Sequence, residues 1–155
     1  MRVVLWLGDD RAGHEDGQRK DRDKSGGESG GKSFAHCVDT ECTRVTLEQL
    51  GEDVKLYRNA DLMIFDAQYT LMETIEKVNW GHAAATLGLD IAIREAIKRV
   101  VFIHHDPAST NEKIFRAEQQ ARKYHEVQLK QLARMGQHPP LVDWYFGYEG
   151  LELTV

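Results

Sequence analysis

Three short apolar runs, each closing on residues that can bind a metal or move a proton, constrain this 155-residue chain more than any other feature. Ser33 to Val38 reads as a strand ending at Asp39-Thr40-Glu41. Leu62 to Phe65 reads as a buried strand ending at Asp66, and Val100 to Ile103 as another ending at His104-His105-Asp106-Pro107. Runs this short and this rich in β-branched and aromatic residues fit strands buried on both faces, and the amphipathic stretches between them make the pattern that of an α/β layer.

The intervening segments agree. Leu89, Ala92, Ile93, Ala96, Ile97 and Val100 recur at helical spacing, which predicts a helix from His82 to about Lys98 with one buried face. Ser109-Thr110-Asn111-Glu112 fits a capping box with Ser109 as N-cap, opening a long polar helix to about Arg134 that Gly136 and Pro139-Pro140 stop. Trp144 to Tyr148 and Leu151 to Val155 read as two short final strands, the last alternating in and out.

Before Ser33 the texture is different. Between Gly8 and Lys32 the chain is mostly glycine and charged or polar residues, with Ala12 its only aliphatic side chain, so residues 1–32 are expected to be disordered or loosely attached and residues 33–155 to form the folded unit. Val3 to Leu7 fits a strand, an anchor or an accident of where the chain begins. The abrupt change near Gly30-Gly31 is what a fragment, a frame-disrupted reading or a rearranged domain gives; a natural extension gives it too.

The net charge of -5 argues against a general electrostatic grip on nucleic acid. Lys98, Arg99, Lys113, Arg116, Arg122 and Lys123 read as solvated helix faces rather than an RNA-binding surface. Cys37 and Cys42 have neither CxxC spacing nor a nearby ligand cluster and read as reduced thiols of a cytoplasmic protein. Gly8-Asp9-Asp10 cuts the first apolar run below the ~7–15 residues of a secretory core, and no stretch reaches the ~20 apolar residues of a membrane span.

Open α/β sheets place ligands at the carboxyl ends of their strands, and here those ends carry Asp39, Asp66 and the His104-His105-Asp106 triplet. Carboxylate and imidazole are the donors that zinc, manganese or iron accepts, although polar residues after strands are also ordinary loop caps. His82 fits a helix-capping residue or a proton donor. The second role needs an acidic partner to hold its tautomer, and Asp66 is the candidate. Phe65, Tyr69 and Trp80, beside the strands, read as core before pocket lining.

Taken in order, Asp39-Thr40-Glu41, the segment Ala60-Asp61-Leu62-Met63-Ile64-Phe65-Asp66-Ala67-Gln68-Tyr69-Thr70, Trp80-Gly81-His82, Phe102-Ile103-His104-His105-Asp106-Pro107 and the ending Tyr148-Glu149-Gly150-Leu151-Glu152-Leu153 resemble the metallo-β-lactamase superfamily of metal-dependent hydrolases. The resemblance runs from about Gly31 to Val155 and is greatest to the phosphodiesterase and ribonuclease Z-like branches. It implies a partial metallo-β-lactamase fold: the C-terminal half of an αββα sandwich, one mixed sheet with helices on one face. It implies Asp39 as the carboxylate bridging two divalent metals (zinc, or manganese or iron), His104 as the last histidine ligand with His105 the alternative if the register slips, and His82 as the proton donor oriented by Asp66. The substrates it implies are small phosphodiesters or RNA.

Two departures limit the implied activity. Ala83 follows His82 where the resembled proteins commonly have Ser or Thr. More seriously, their HxHxDH string, which supplies most ligands of the first metal, does not occur, and His14-Glu15-Asp16 has the wrong spacing; the further histidine ligand that the resemblance implies before the Asp39 strand is also missing, His36 lying on the strand itself. Metal binding is therefore expected to be weak or absent and hydrolysis impaired or lost. The alternative is a non-catalytic half-domain that self-associates or completes its sheet with another chain, because a bare half exposes the inner face of its sheet and an unpaired edge.

Overall fold

The computed structural model describes residues 2–4, 31–40 and 46–154. Among these, β1 (Arg2–Val4), β2 (Phe34–Cys37), α1 (Leu47–Leu50), a single 3-10 turn at Gly51–Asp53, α2 (Val54–Tyr57), β3 (Leu62–Asp66), α3 (Leu71–Glu76), α4 (Ala85–Arg94), β4 (Arg99–Ile103), α5 (Asn111–Arg134), β5 (Asp143–Phe146) and β6 (Glu152–Thr154) follow one another. The chain is α/β, as the sequence indicates, and is compatible with part of an αββα sandwich.

Strands β2-β3-β4-β5 lie side by side in chain order and all run parallel. The expected single mixed sheet is resolved into this parallel sheet and a separate antiparallel ladder of β1 with β6, in which Val3 faces Leu153. Every parallel step needs a helical return, and sequential returns of one hand place the helices on the same face. That face holds Met63, Phe65, Val100, Phe102 and Trp144 against Leu89, Ile91 and Ala92 of α4 and Ala121 of α5. The opposite face holds Leu62, Ile64, Val101 and Ile103 against Leu151 and Leu153. All five residues of β3 are buried, which is why its sequence reads as a continuous apolar run.

The bare inner face expected of a half-domain is therefore not found: Leu62, Ile64, Val101 and Ile103 are buried, with the C-terminal segment folding back over them. The edges of the parallel sheet are β2 and β5, and among the described residues nothing pairs with their outer sides.

Gly88 sets how closely α4 approaches the sheet. A Cβ there would lie 2.6 Å from the Phe102 ring and 2.7 Å from the Phe65 ring, so only glycine lets the helix rest on this edge-to-face pair. The helix is shorter than its periodicity predicts. At its end Ala96 takes a left-handed φ of 55° and Ile97 N donates to Ala92 O at 3.0 Å, a helix-ending turn. At its start residues 82–84 are extended rather than helical, held by a bridge between Ala84 and Tyr69 in which Tyr69 N donates to Ala83 O at 3.0 Å.

Helix α5 runs 24 residues yet buries only Ala121 and His125. Its N-cap is Thr110, which accepts from Lys113 N, one residue later than the expected Ser109 cap. Ser109 N is instead taken by Asp106 O at 2.7 Å, a turn that pushes the helix start along. Three contacts dock α5. Tyr124 Oη donates to Asp90 at 2.7 Å, Trp144 Nε1 donates to His125 Nδ1 at 3.0 Å, and the Arg122 guanidinium sits 5.0 Å over the Trp144 ring.

No helix among the described residues is long and apolar enough to cross a membrane. Cys37 is a free, buried thiol whose burial pushes its pKa up, while Cys42 lies outside the described residues, as does most of the segment expected to be disordered.

Candidate functional site

The carboxyl ends of β2, β3 and β4 converge as parallel register requires, with Cys37 paired to Phe65 and Asp66 to Ile103. Two residues beyond the end of β2, Asp39 follows Val38 with φ 54°, and directly after β4 comes His104 with φ 61°. Few non-glycine residues adopt this left-handed conformation. It turns each chain sharply at the strand end, and such outliers concentrate at working sites.

These turns bring ligand atoms of Asp39, Asp66, His82 and His104 within 4.8 Å of one another. Asp66 is the hub and is fully buried. Its Oδ2 accepts from Asp39 N at 3.1 Å and lies 3.0 Å from His82 Nδ1. Its Oδ1 accepts from Gln68 N at 3.0 Å and Ala83 N at 3.3 Å. A carboxylate offers about four lone-pair directions, and here four donors occupy them. Asp66 thus ties the loop after β2, the loop after β3 and the approach to α4 into one piece. Because the carboxylate accepts from the ring, His82 carries its proton on Nδ1 and leaves Nε2 for other partners.

Asp39 and His104 are less committed. The Asp39 side chain is 71% exposed, with Oδ1 3.4 Å from His104 Nδ1 and 3.7 Å from His82 Nδ1. His104 Nδ1 is buried without a hydrogen-bond partner among the described residues, 3.6 Å from Asp66 Oδ2. The rings of His82 and His104 meet nearly edge-on at 5.0 Å.

His105, the expected alternative ligand, is not part of this group. Its ring stacks on Phe146 at 5.0 Å, and burial lowers its pKa, partly offset by hydrogen bonding to the backbone of Ala67 and Gly147. The left-handed turn at His104 directs its ring toward Asp39 and Asp66, while the next ring, that of His105, packs on Phe146 instead. Phe65 and Tyr69 are core, as expected, whereas Trp80 is 66% exposed.

The described residues fit one divalent ion better than two. With the lone pairs of Asp66 taken, Asp39 and the unpartnered His104 nitrogen are the open donors, a carboxylate and an imidazole that suit zinc, manganese or iron. Two protein donors fall short of the three or four that hold zinc firmly.

Comparison with known proteins adds a partial similarity. No family profile matches the chain. The ribonuclease Z proteins of two Prochlorococcus marinus strains, NATL1A and NATL2A, are each 30% identical to it over 80 residues. Over half its length the chain is similar to ribonuclease Z. The match covers 52% of this chain and 23% of each relative, so the shared part is a minority of those proteins.

Some parts of the site leave no mark in the sequence. Asp and His take up left-handed turns more readily than most residues, but nothing in the sequence singles out Asp39 and His104 from the other Asp and His residues as the places where they occur. Tyr69 reads as core, which conceals its edge-on contact with His82 at 5.6 Å and 88°. The capping boxes Thr46/Gln49 and Thr70/Glu73, which start α1 and α3, are legible in principle as Thr-x-x-Gln and Thr-x-x-Glu.

Proposed function

We propose that the chain carries part of a metal-dependent hydrolase site of the metallo-β-lactamase superfamily, directed at phosphodiester bonds of RNA or of small molecules, and that alone it hydrolyses them weakly or not at all. The observation that carries this reading is the wiring of His82 to a buried carboxylate beside two open donors. Loop caps brought together by chance have no need of a buried acid that holds one imidazole nitrogen and leaves the other free.

In this reading His82 is the catalytic acid, giving a proton from Nε2 to the departing oxygen, and Asp66 is a positioning residue that fixes the ring through Nδ1 and balances its positive charge. Asp39 and His104 would hold the ion. Bound there, a divalent cation supplies charge that polarises a phosphoryl oxygen and acidifies water. His105 has no part in it. The missing HxHxDH string accounts for the expected weakness, since each absent ligand removes both affinity and preorganisation. A cytoplasmic location fits the reduced-thiol reading of the cysteines.

The test is hydrolysis of an aryl phosphodiester and of a short RNA with zinc or manganese added, alongside measurement of metal bound per chain. Slow turnover that disappears in Asp39→Ala and in His82→Ala is expected. Turnover untouched by Asp39→Ala would refute the assignment.

A second reading is a non-catalytic half-domain that binds a partner chain or a second copy. Leu71, Met72, Ile75, Val78 and Trp80, all exposed and close in sequence, support it. Light scattering behind size exclusion distinguishes the two, because a clean monomer at high concentration counts against self-association.

A further inference from the structure

A cavity of about 250 Å3 opens beside the site, where the first turns of α3 and α4 meet the middle of α5. Tyr69 belongs to both: its ring stands edge-on to His82 and also lines the cavity. Ala84 and Ala85, which follow His82 closely in the chain, form part of the wall.

The lining specifies an occupant. None of the described residues around it is charged, so a phosphate would find no cation there. Tyr69 and Phe146 offer aromatic surface, and side chains ending at Cβ, among them Ala85 and Ala117, leave the space open. The polar groups sort themselves by what they already do. Tyr124 Oη donates to Asp90, and Thr70 Oγ1 accepts from Glu73 N, so both are committed. Thr86 is more than nine-tenths buried and its Oγ1 has no hydrogen-bond partner among the described residues. The Thr86 Oγ1 atom is closed off from solvent, so a base edge meets it once the side chain turns toward the cavity; a stranded hydroxyl costs about 1–3 kcal/mol, which that turn relieves. Gln120 is exposed, with an amide that can both donate and accept. The volume is below the ~300–1,000 Å3 of a pocket for a whole ligand, so it takes a fragment.

We infer that this cavity is a base-binding subsite, holding an unpaired nucleobase next to the scissile phosphodiester against aromatic and alanine walls, with Thr86 and Gln120 reading the base edge. Single-stranded RNA is recognised in this manner, through bases splayed onto aromatic side chains and hydrogen-bonded along their edges. The inference rests on the phosphodiester reading for the chemistry of the ligand and extends it by naming where specificity resides.

Binding is measured on the full chain in chelator, so that neither metal nor turnover enters. The probes are four labelled RNA homotetranucleotides and versions of each carrying one abasic position. Removing the base at one position should weaken binding about tenfold, the scale of one stacked base. Ala117→Leu, which fills the cavity, should bring the intact probe down to the abasic value and leave the abasic probe unchanged. Thr86→Val, equal in shape and lacking the hydroxyl, should weaken the intact probe several-fold and is the deciding variant if Ala117→Leu does not fold. Tetranucleotide binding indifferent to the abasic position, binding unaltered in Thr86→Val, or no binding by the parent chain at millimolar probe overturns the subsite. Base-dependent binding together with turnover untouched by Asp39→Ala overturns the hydrolase reading and leaves the subsite standing; Asp39-dependent turnover without base-dependent binding does the reverse.

Discussion

Asp66 Oδ2 lies 3.0 Å from His82 Nδ1, and while the carboxylate is fully buried the imidazole remains 20% exposed. A buried acceptor holding a ring that reaches solvent is an arrangement for presenting the second ring nitrogen. The same carboxylate also accepts three backbone N–H groups, so structure and chemistry at this end of the sheet depend on one side chain.

Asp66→Asn should therefore be costly. The amide keeps one acceptor oxygen and places an NH2 where two donors now point, which strands donors at about 1–3 kcal/mol each. Urea denaturation measures the loss, and the ring resonances of His82 should broaden as the imidazole loses its fixed partner. A variant of unchanged stability would mean that the carboxylate is not the hub described.

Zinc titration followed by thermal unfolding addresses the open donors. A small, saturable rise in Tm is expected, lost in both Asp39→Ala and His104→Ala and retained in His105→Ala, whose ring is engaged with Phe146. Loss of the response in His105→Ala alone would reverse the ligand assignment.

Gly88→Ala tests the seat of α4. The added methyl meets the rings of Phe65 and Phe102, and overpacking of this kind costs about 1–3 kcal/mol. Because α4 follows His82 in the chain, the shift should also move the ring, visible as a change in the His82 resonances without any change at His36, which is exposed on β2 in register with Ile64, a residue of the sheet face that α4 does not cover. Equal stability of variant and parent by chemical denaturation would contradict the close approach.

Glu73 supplies a pH dependence. Burial raises its pKa, but hydrogen bonds from Thr70 N and from Lys113 Nζ, the latter at 3.0 Å, outweigh burial and bring it down to about 2 from 4.5. A depressed carboxylate contributes stability that is present above its unfolded value and lost as pH falls through its folded one. The stability gap between the parent and Glu73→Gln should therefore be full at pH 6 and close between about pH 4.5 and 2. The gap is modest because the pair is partly exposed and screened. Denaturation curves at a series of pH values read it directly, and a gap that widens on acidification contradicts the sign.

The sequence determined the strands β2, β3 and β4 and the acidic or imidazole residue after each, because a strand buried on both faces must be apolar throughout and its end must turn polar. It also determined the long polar α5, since capping and charge spacing are local. It could not place the start of α4, because residues 82–84 are held extended by Tyr69, which is distant along the chain. Nor could it separate His104 from His105: both have the right chemistry, and a left-handed turn at 104 decides which one faces Asp39. The covering of the second sheet face by Leu151 and Leu153 and the cavity beside Tyr69 belong to tertiary structure alone. Both arise where segments with no local preference for one another meet, and the free energy of that meeting appears only when the whole chain packs.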